Sequence, residues 1–291
     1  MNIITAYFTG FVDLVMFPYR FYQWLQLETL KEKMNVLLMA GNSFEFLNML
    51  LAALTIAVVV GLIKPRLLKK TVHGLELTIT KIGHFACWFA LIMMIQQVLI
   101  IVVGQIFRGN EVVLAPLGMV LFSEELQWLS GQLKLYNAIL IAMASAYTFI
   151  EGGHVRVDIF YSKLSYRAKK ISDLIGSLLF MLPSYLLLWW FAWPLATNSM
   201  FAQRPMNVFS TKASWRNFKW ESSGTAEFTW VWAFKLLIVV FAGLLVLQAC
   251  TFVLRNVLAL RVKEEIESHP KMDTPKERET EDATDKIGHI A

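Results

Sequence analysis

Charge is scarce in this chain. Of its 291 residues 17% are Asp, Glu, Lys or Arg and 56% are apolar, with a mean hydropathy of +0.52. A soluble domain carries about 25% charged residues, so the composition excludes an ordinary water-soluble fold. Cysteine is scarcer still. Cys87 and Cys250 are the only two, and both fall in apolar runs, which argues against a disulfide framework or a thiolate metal site and for small buried hydrophobes. None of the five histidines (His73, His84, His154, His269, His289) sits in the middle of an apolar run, so a buried pair of haem ligands is not expected. There is no internal repeat, and no matching pair of apolar segments broken by Gly or Pro. Such broken helices mark the substrate site of a secondary transporter, so the chain is not expected to carry a transport site itself. No aromatic-interleaved basic stripe suggests nucleic acid as a partner. No nucleophile with oxyanion donors suggests an enzyme.

The apolar residues are gathered in blocks about 20 residues long, the length at which a helix crosses a ~30 Å hydrocarbon core. The expected fold class is all-α, a polytopic transmembrane helical bundle of about five spans plus an N-terminal interfacial helix. Residues 1–42 read as an interfacial, amphipathic segment. Asp13, Arg20 and Gln23 share one helical face there, with aromatic and aliphatic residues around the rest, and no signal-peptide pattern is visible. Residues 43–79 read as a span, Phe44 to Ile63, followed by a basic loop. Further spans are expected at His84 to Phe107, around Leu135 to Ile150, at Ile171 to Thr197 (kinked at Pro183) and at Trp230 to Val253. The segments 64–83 and 151–170 carry five Lys/Arg each, which places both in the cytoplasm. Seven tryptophans (189, 190, 193, 215, 220, 230, 232) cluster around the loop 198–228, as in an aromatic belt at the outer interface. The tail 261–291 holds nine Asp/Glu and six Lys/Arg and is expected to be helical to Ser268 and disordered beyond.

The third span is unusual. Its uncharged core, Leu135 to Ile150, is too short for the bilayer, so the helix is expected to begin near Glu124. That takes Glu124, Glu125, Gln127, Gln132 and Lys134 into or near the membrane. Either 118–132 lies along the surface, or it packs against another subunit. The tract that follows, Gly152-Gly153-His154-Val155-Arg156-Val157-Asp158-Ile159, alternates polar and apolar residues. Extended, it places His154, Arg156 and Asp158 on one face. It reads either as a solvated helix-exit turn or as a docking clamp at the cytoplasmic membrane edge.

The run Ser123-Glu124-Glu125-Leu126-Gln127-Trp128, the helix end Ala146-Tyr147-Thr148 and the tract Gly153 to Tyr161 resemble the small membrane subunit, DctQ-type, of tripartite ATP-independent periplasmic (TRAP) transporters. Gly176 to Pro183 resembles that family's next helix. The external loop with Glu221-Ser222-Ser223-Gly224 and the later Leu247-Gln248 resemble its mannitol/chloroaromatic-type organic-acid branch. The likeness spans about residues 80–260, a four-helix membrane domain, to which 1–79 and the acidic tail 261–291 are additions. The resemblance implies a non-enzymatic scaffold without cofactor, fixed in the bacterial inner membrane. Its partners would be a large DctM-type subunit that carries solute by Na⁺ symport, a periplasmic substrate-binding protein that docks transiently, and membrane lipids. On this reading Glu124, Glu125, Gln127, Trp128 and Lys134 are expected to face the large subunit or the outer headgroups, and His154, Arg156 and Asp158 to brace the cytoplasmic end; the resemblance adds an outer-loop signature at Glu221, Ser222 and Ser223. The alternative reading is the membrane-anchor subunit of a respiratory oxidoreductase.

Overall fold

The computed structural model describes residues 3–114, 122–150, 165–203, 215–225 and 228–261. Its helices are α1 (Ile3–Gln26), α2 (Leu30–Gly41), α3 (Phe44–Ile63), α4 (Pro65–Ile101), α5 (Leu126–Ile150), α6 (Tyr166–Gly176), α7 (Leu182–Met200) and α8 (Val231–Arg261). Two antiparallel ribbons cap one end. Strands β1 (Glu111–Leu114) and β2 (Phe122–Glu125) join α4 to α5, and β3 (Phe201–Gln203) and β4 (Trp215–Phe218) follow α7. Five helical stretches are long and apolar enough to cross a membrane: Phe44–Ile63, Pro65–Ile106, Leu126–Ile150, Arg167–Met200 and Val231–Arg261. The chain is a multi-pass helical membrane protein.

The last helix, α8, is the axis of the bundle. It buries residues on every side, from Val239 through Ala249 to Ala259. Near its C-terminal end Val253, Leu254, Val257 and Leu258 pack against Leu54 of α3, Leu68 and Val72 of α4, and Leu182 of α7. Higher up, Val239 and Ala242 meet Ala192 and Ala196 of α7, and Leu244 meets Ile79 and Ala146. Many of these contacts are Ala or Gly, as expected where helices associate in lipid by close approach and not by exclusion of water. Between α4 and α5 the approach is closest at Gly83, where an added Cβ would lie 2.4 Å from the Cβ of Tyr147.

The basic stretch 64–83 is not the expected loop. Lys64 alone separates α3 from α4, Pro65 opens the new helix at a position that needs no N–H, and the backbone stays helical to Ile106 through a π turn at Val102–Ile106. A 42-residue helix is about 63 Å long, twice the hydrocarbon thickness. Its first half therefore extends beyond the apolar slab, where Glu76 pairs with Arg255 of α8 at 3.4 Å. Pro183, expected to kink its span, sits just after a π turn at Ser177–Met181. The wider turn accommodates the proline ring and its missing donor without breaking the rod.

Helix α1 lies against α3, with Gly10 on the backbone of Asn48, where an added Cβ would come within 2.5 Å of the carbonyl oxygen. Arg20 binds Asp13 at 2.8 Å and reaches Glu45 of α3 at 3.4 Å. Helices α2 and α3 are separated by two residues, Asn42 and Ser43. Thr29 caps α2, Ser43 caps α3 by accepting from the N–H of Phe46, and Asn42 lies between them. The last carbonyls of α2, orphaned by the break, are met by two indoles of α7. Trp193 donates to Leu38 O at 3.0 Å and Trp189 to Gly41 O at 3.1 Å. Cys250 is half-buried between helices, whereas Cys87 is exposed on α4 and not the buried hydrophobe expected. The continuation of the tail beyond Arg261 lies outside the described residues.

Candidate subunit-contact face

The third span begins two residues later than expected. Glu124 and Glu125 belong to β2, paired with Val112 and Glu111, and Leu126 starts the helix with its N–H on Asn110 O at 2.9 Å. Glu125 and Gln127 are exposed. Trp128 is half-buried and rests its ring 5.3 Å from that of Phe228. Gly131, one turn on, lets Phe228 reach the helix backbone, since an added Cβ would stand 2.5 Å from Phe228 Cβ.

The polar residues of α5 divide between two faces. Gln132 turns inward and accepts from the Nε2 of buried Gln96 of α4 at 3.1 Å, while that same Nε2 also donates to Leu129 O at 2.9 Å. Gln132 then donates to the Tyr136 hydroxyl at 2.8 Å. These amides are satisfied within the chain. The opposite face of the helix is exposed. Its exposed positions are Gln127, Ser130, Lys134, Asn137 and Ile141, spaced three and four apart, which is one stripe of a helix. Four of the five are polar, and they run down the first half of a helix long enough to span. The exposed stripe of α4 is apolar, with Phe85, Trp88, Ile92, Ile95 and Leu99. The α5 stripe is poorly matched to hydrocarbon.

Beside that end, the segment after β4 is pinned to the top of α8. Glu221 binds the Lys235 ammonium, and its N–H donates to Ser199 O at 3.1 Å. The hydrogen bond and charge of Lys235 hold the Glu221 carboxyl below the usual carboxylate range. Ser222 bridges to Trp230, and the Ser223 hydroxyl lies 2.9 Å from that of Thr225, next to Gly224, whose φ of 66° suits glycine. Rings of Phe218, Trp220, Trp232 and Trp230 follow one another at 5.7, 4.6 and 6.0 Å, so part of the expected aromatic belt is a packed cluster.

Of the residues singled out from the sequence, Gln127 and Lys134 lie together on the polar stripe, Glu125 is at its head, and Trp128 packs inward. The backbone of Glu124 is in β2. Glu221, Ser222 and Ser223 form a separate group at the α8 end. His154, Arg156 and Asp158 lie outside the described residues. Sequence reasoning missed Asn137, the Gln96–Gln132 pair, and the Glu76–Arg255 pair. The last had a signal: Glu76 is the lone acid of 64–83, and Arg255 is the lone charge between Lys235 and Arg261.

Comparison with known families matches the chain to the model for tripartite ATP-independent periplasmic transporters, DctQ component, over residues 112–259. No curated protein and no solved structure matches the chain. The matched stretch runs from β1 to the end of α8, just over half of the chain, and includes the polar stripe, the Glu221 loop and the axial helix. The chain belongs to the DctQ family, the small membrane component of TRAP transporters.

Proposed function

We propose that this chain is the membrane scaffold subunit of a TRAP-type uptake system in a bacterial inner membrane. It holds a large DctM-type subunit that moves the solute, an organic acid, in symport with Na⁺, and a periplasmic binding protein delivers that solute to the outer face. The observation that carries the scaffold reading is the exposed stripe Gln127, Ser130, Lys134 and Asn137 on a spanning helix. Polar side chains at membrane depth are stabilised by a protein partner far better than by lipid tails, and a family that works as a complex supplies one. Glu124 and Glu125 extend this contact toward the outer surface, and Trp128 supports it from behind through its packing on Phe228. In the same reading His154, Arg156 and Asp158 brace the inner end, and Glu221 with Ser222 and Ser223 shapes the outer loop. The organic-acid branch rests on the likeness of the Glu221 loop and Leu247-Gln248 alone.

The test is co-purification in mild detergent of the tagged chain and its large partner. Gln127→Leu with Asn137→Leu is expected to lower recovery of the partner at least tenfold while leaving the melting temperature of the isolated chain nearly unchanged. Full recovery of partner with that double variant would sink the assignment of the face. Recovery of soluble redox subunits with haem absorbance would replace the transporter reading altogether.

A further inference from the structure

A groove of about 350 Å³ runs between α3 and α8, partly roofed by α7 and open along one side. Its walls are apolar throughout. Leu50, Ala53 and Ala57 of α3 face it, with Gly243 and Cys250 of α8 and Trp189 of α7. Room is left because Ala53, Ala57 and Gly243 stand where larger residues would close the gap. From Phe46 to Ala57 the α3 wall is roughly 16 Å long at 1.5 Å per residue, so the groove follows the helix axis over about half of a bilayer.

We infer that this groove is a binding site for an acyl chain of a bilayer phospholipid, which joins α3 to the rest of the bundle. An apolar cavity of this kind does not hold water, because water there would lack hydrogen-bond partners. Left empty, its lining atoms lose dispersion contacts that nothing else replaces. Both walls belong to helices long and apolar enough to span, so the open side meets hydrocarbon, and the nearest filler is a lipid tail. The dimensions agree. The roughly 16 Å wall is about half of the ~30 Å hydrocarbon core, the depth that the tails of one leaflet fill. The site lies at a seam. One wall, α3, precedes the family-matched stretch 112–259, whereas α8 and the roofing α7 belong to it. The lipid would fill the gap between the added N-terminal helices and the shared core.

The test uses the full chain purified from its membrane into mild detergent and studied by native mass spectrometry. One phospholipid per chain is expected to survive delipidation that strips the lipid annulus. Ala53→Phe and Ala57→Phe, which fill the groove, are expected to lower the retained fraction at least fivefold. Val59→Phe, on the exposed side of the same helix, is expected to keep it. A wild-type chain that retains no phospholipid, or folded groove variants that retain it fully, would overturn the proposal. A second readout does not depend on those variants: quenching by phospholipid with brominated tails, taken as the difference between wild type and Trp189→Phe. Saturation at low mole fraction is expected. A strictly linear response, or protection of Trp189 when the large partner is bound, would mean bulk lipid or a protein segment occupies the groove instead.

Discussion

Replacing Gln96 by Leu removes the most enclosed polar contact between α4 and α5. The side chain is 9% exposed, and its Nε2 makes two hydrogen bonds, to Leu129 O at 2.9 Å and to Gln132 Oε1 at 3.1 Å. Interhelical hydrogen bonds in membrane proteins contribute ~0.6 kcal/mol each on average and up to ~1.7. Two of them give about 1–3 kcal/mol, with Leu recovering part of the packing. Gln132→Leu removes the shared bond from the other side, together with the bond to Tyr136, and is expected to cost a similar amount. The double variant leaves neither amide searching for a partner, so its loss should fall short of the sum by at least ~0.6 kcal/mol. The assay is reversible unfolding in mixed detergent micelles, followed by tryptophan fluorescence. Strict additivity would refute the reasoning, since it would mean that the two amides do not bond to each other. Loss of partner binding in Gln132→Leu with unchanged stability would refute it differently, by showing that Gln132 serves the outward face.

Two further outcomes follow from the α8 and α2 ends. The Glu221 carboxyl is depressed below its ordinary value of 4.5, so its docking onto Lys235 is fully present above that pH and is lost as pH falls through the lowered value. Fluorescence of the neighbouring Trp220 and Trp232 should therefore change only below about pH 4.5, and Glu221→Gln should abolish the transition; a transition that survives the substitution would assign it to another group. Gly41→Val should detach the end of α2, because an added Cβ would lie 2.0 Å from the Trp193 ring; overpacking of this kind costs ~1–3 kcal/mol, and an unchanged melting temperature would show that α2 does not dock there.

Hydropathy made the spans legible. Phe44–Ile63 matches its expected limits, and the polar head of the third span was visible before α5 itself. The stretch 64–83 was misread because the excess of lysine and arginine reports the side of the membrane and says nothing of backbone conformation. Nothing between Arg66 and Ile106 breaks a helix, so the rod continues past the slab. The division of α5 into an inward Gln132 and an outward Lys134 and Asn137 was present in the 3.6-residue period. It became readable only once Gln96 fixed which face turns in. The strand at Glu124 and Glu125 depends on pairing with 111–114, a non-local contact that local polarity does not announce.

The two indoles that meet the carbonyls of Leu38 and Gly41 come from 155 and 148 residues further along the chain. At a synthesis rate of roughly 5–20 residues per second, the ribosome needs about 7–30 s to make α7 after it has made the end of α2. Throughout that interval the N-terminal helices are already made while the donors that complete them are not. The seam at α2 thus closes late in synthesis: until Trp189 and Trp193 have been made, the carbonyls of Gly41 and Leu38 have no indole to meet them.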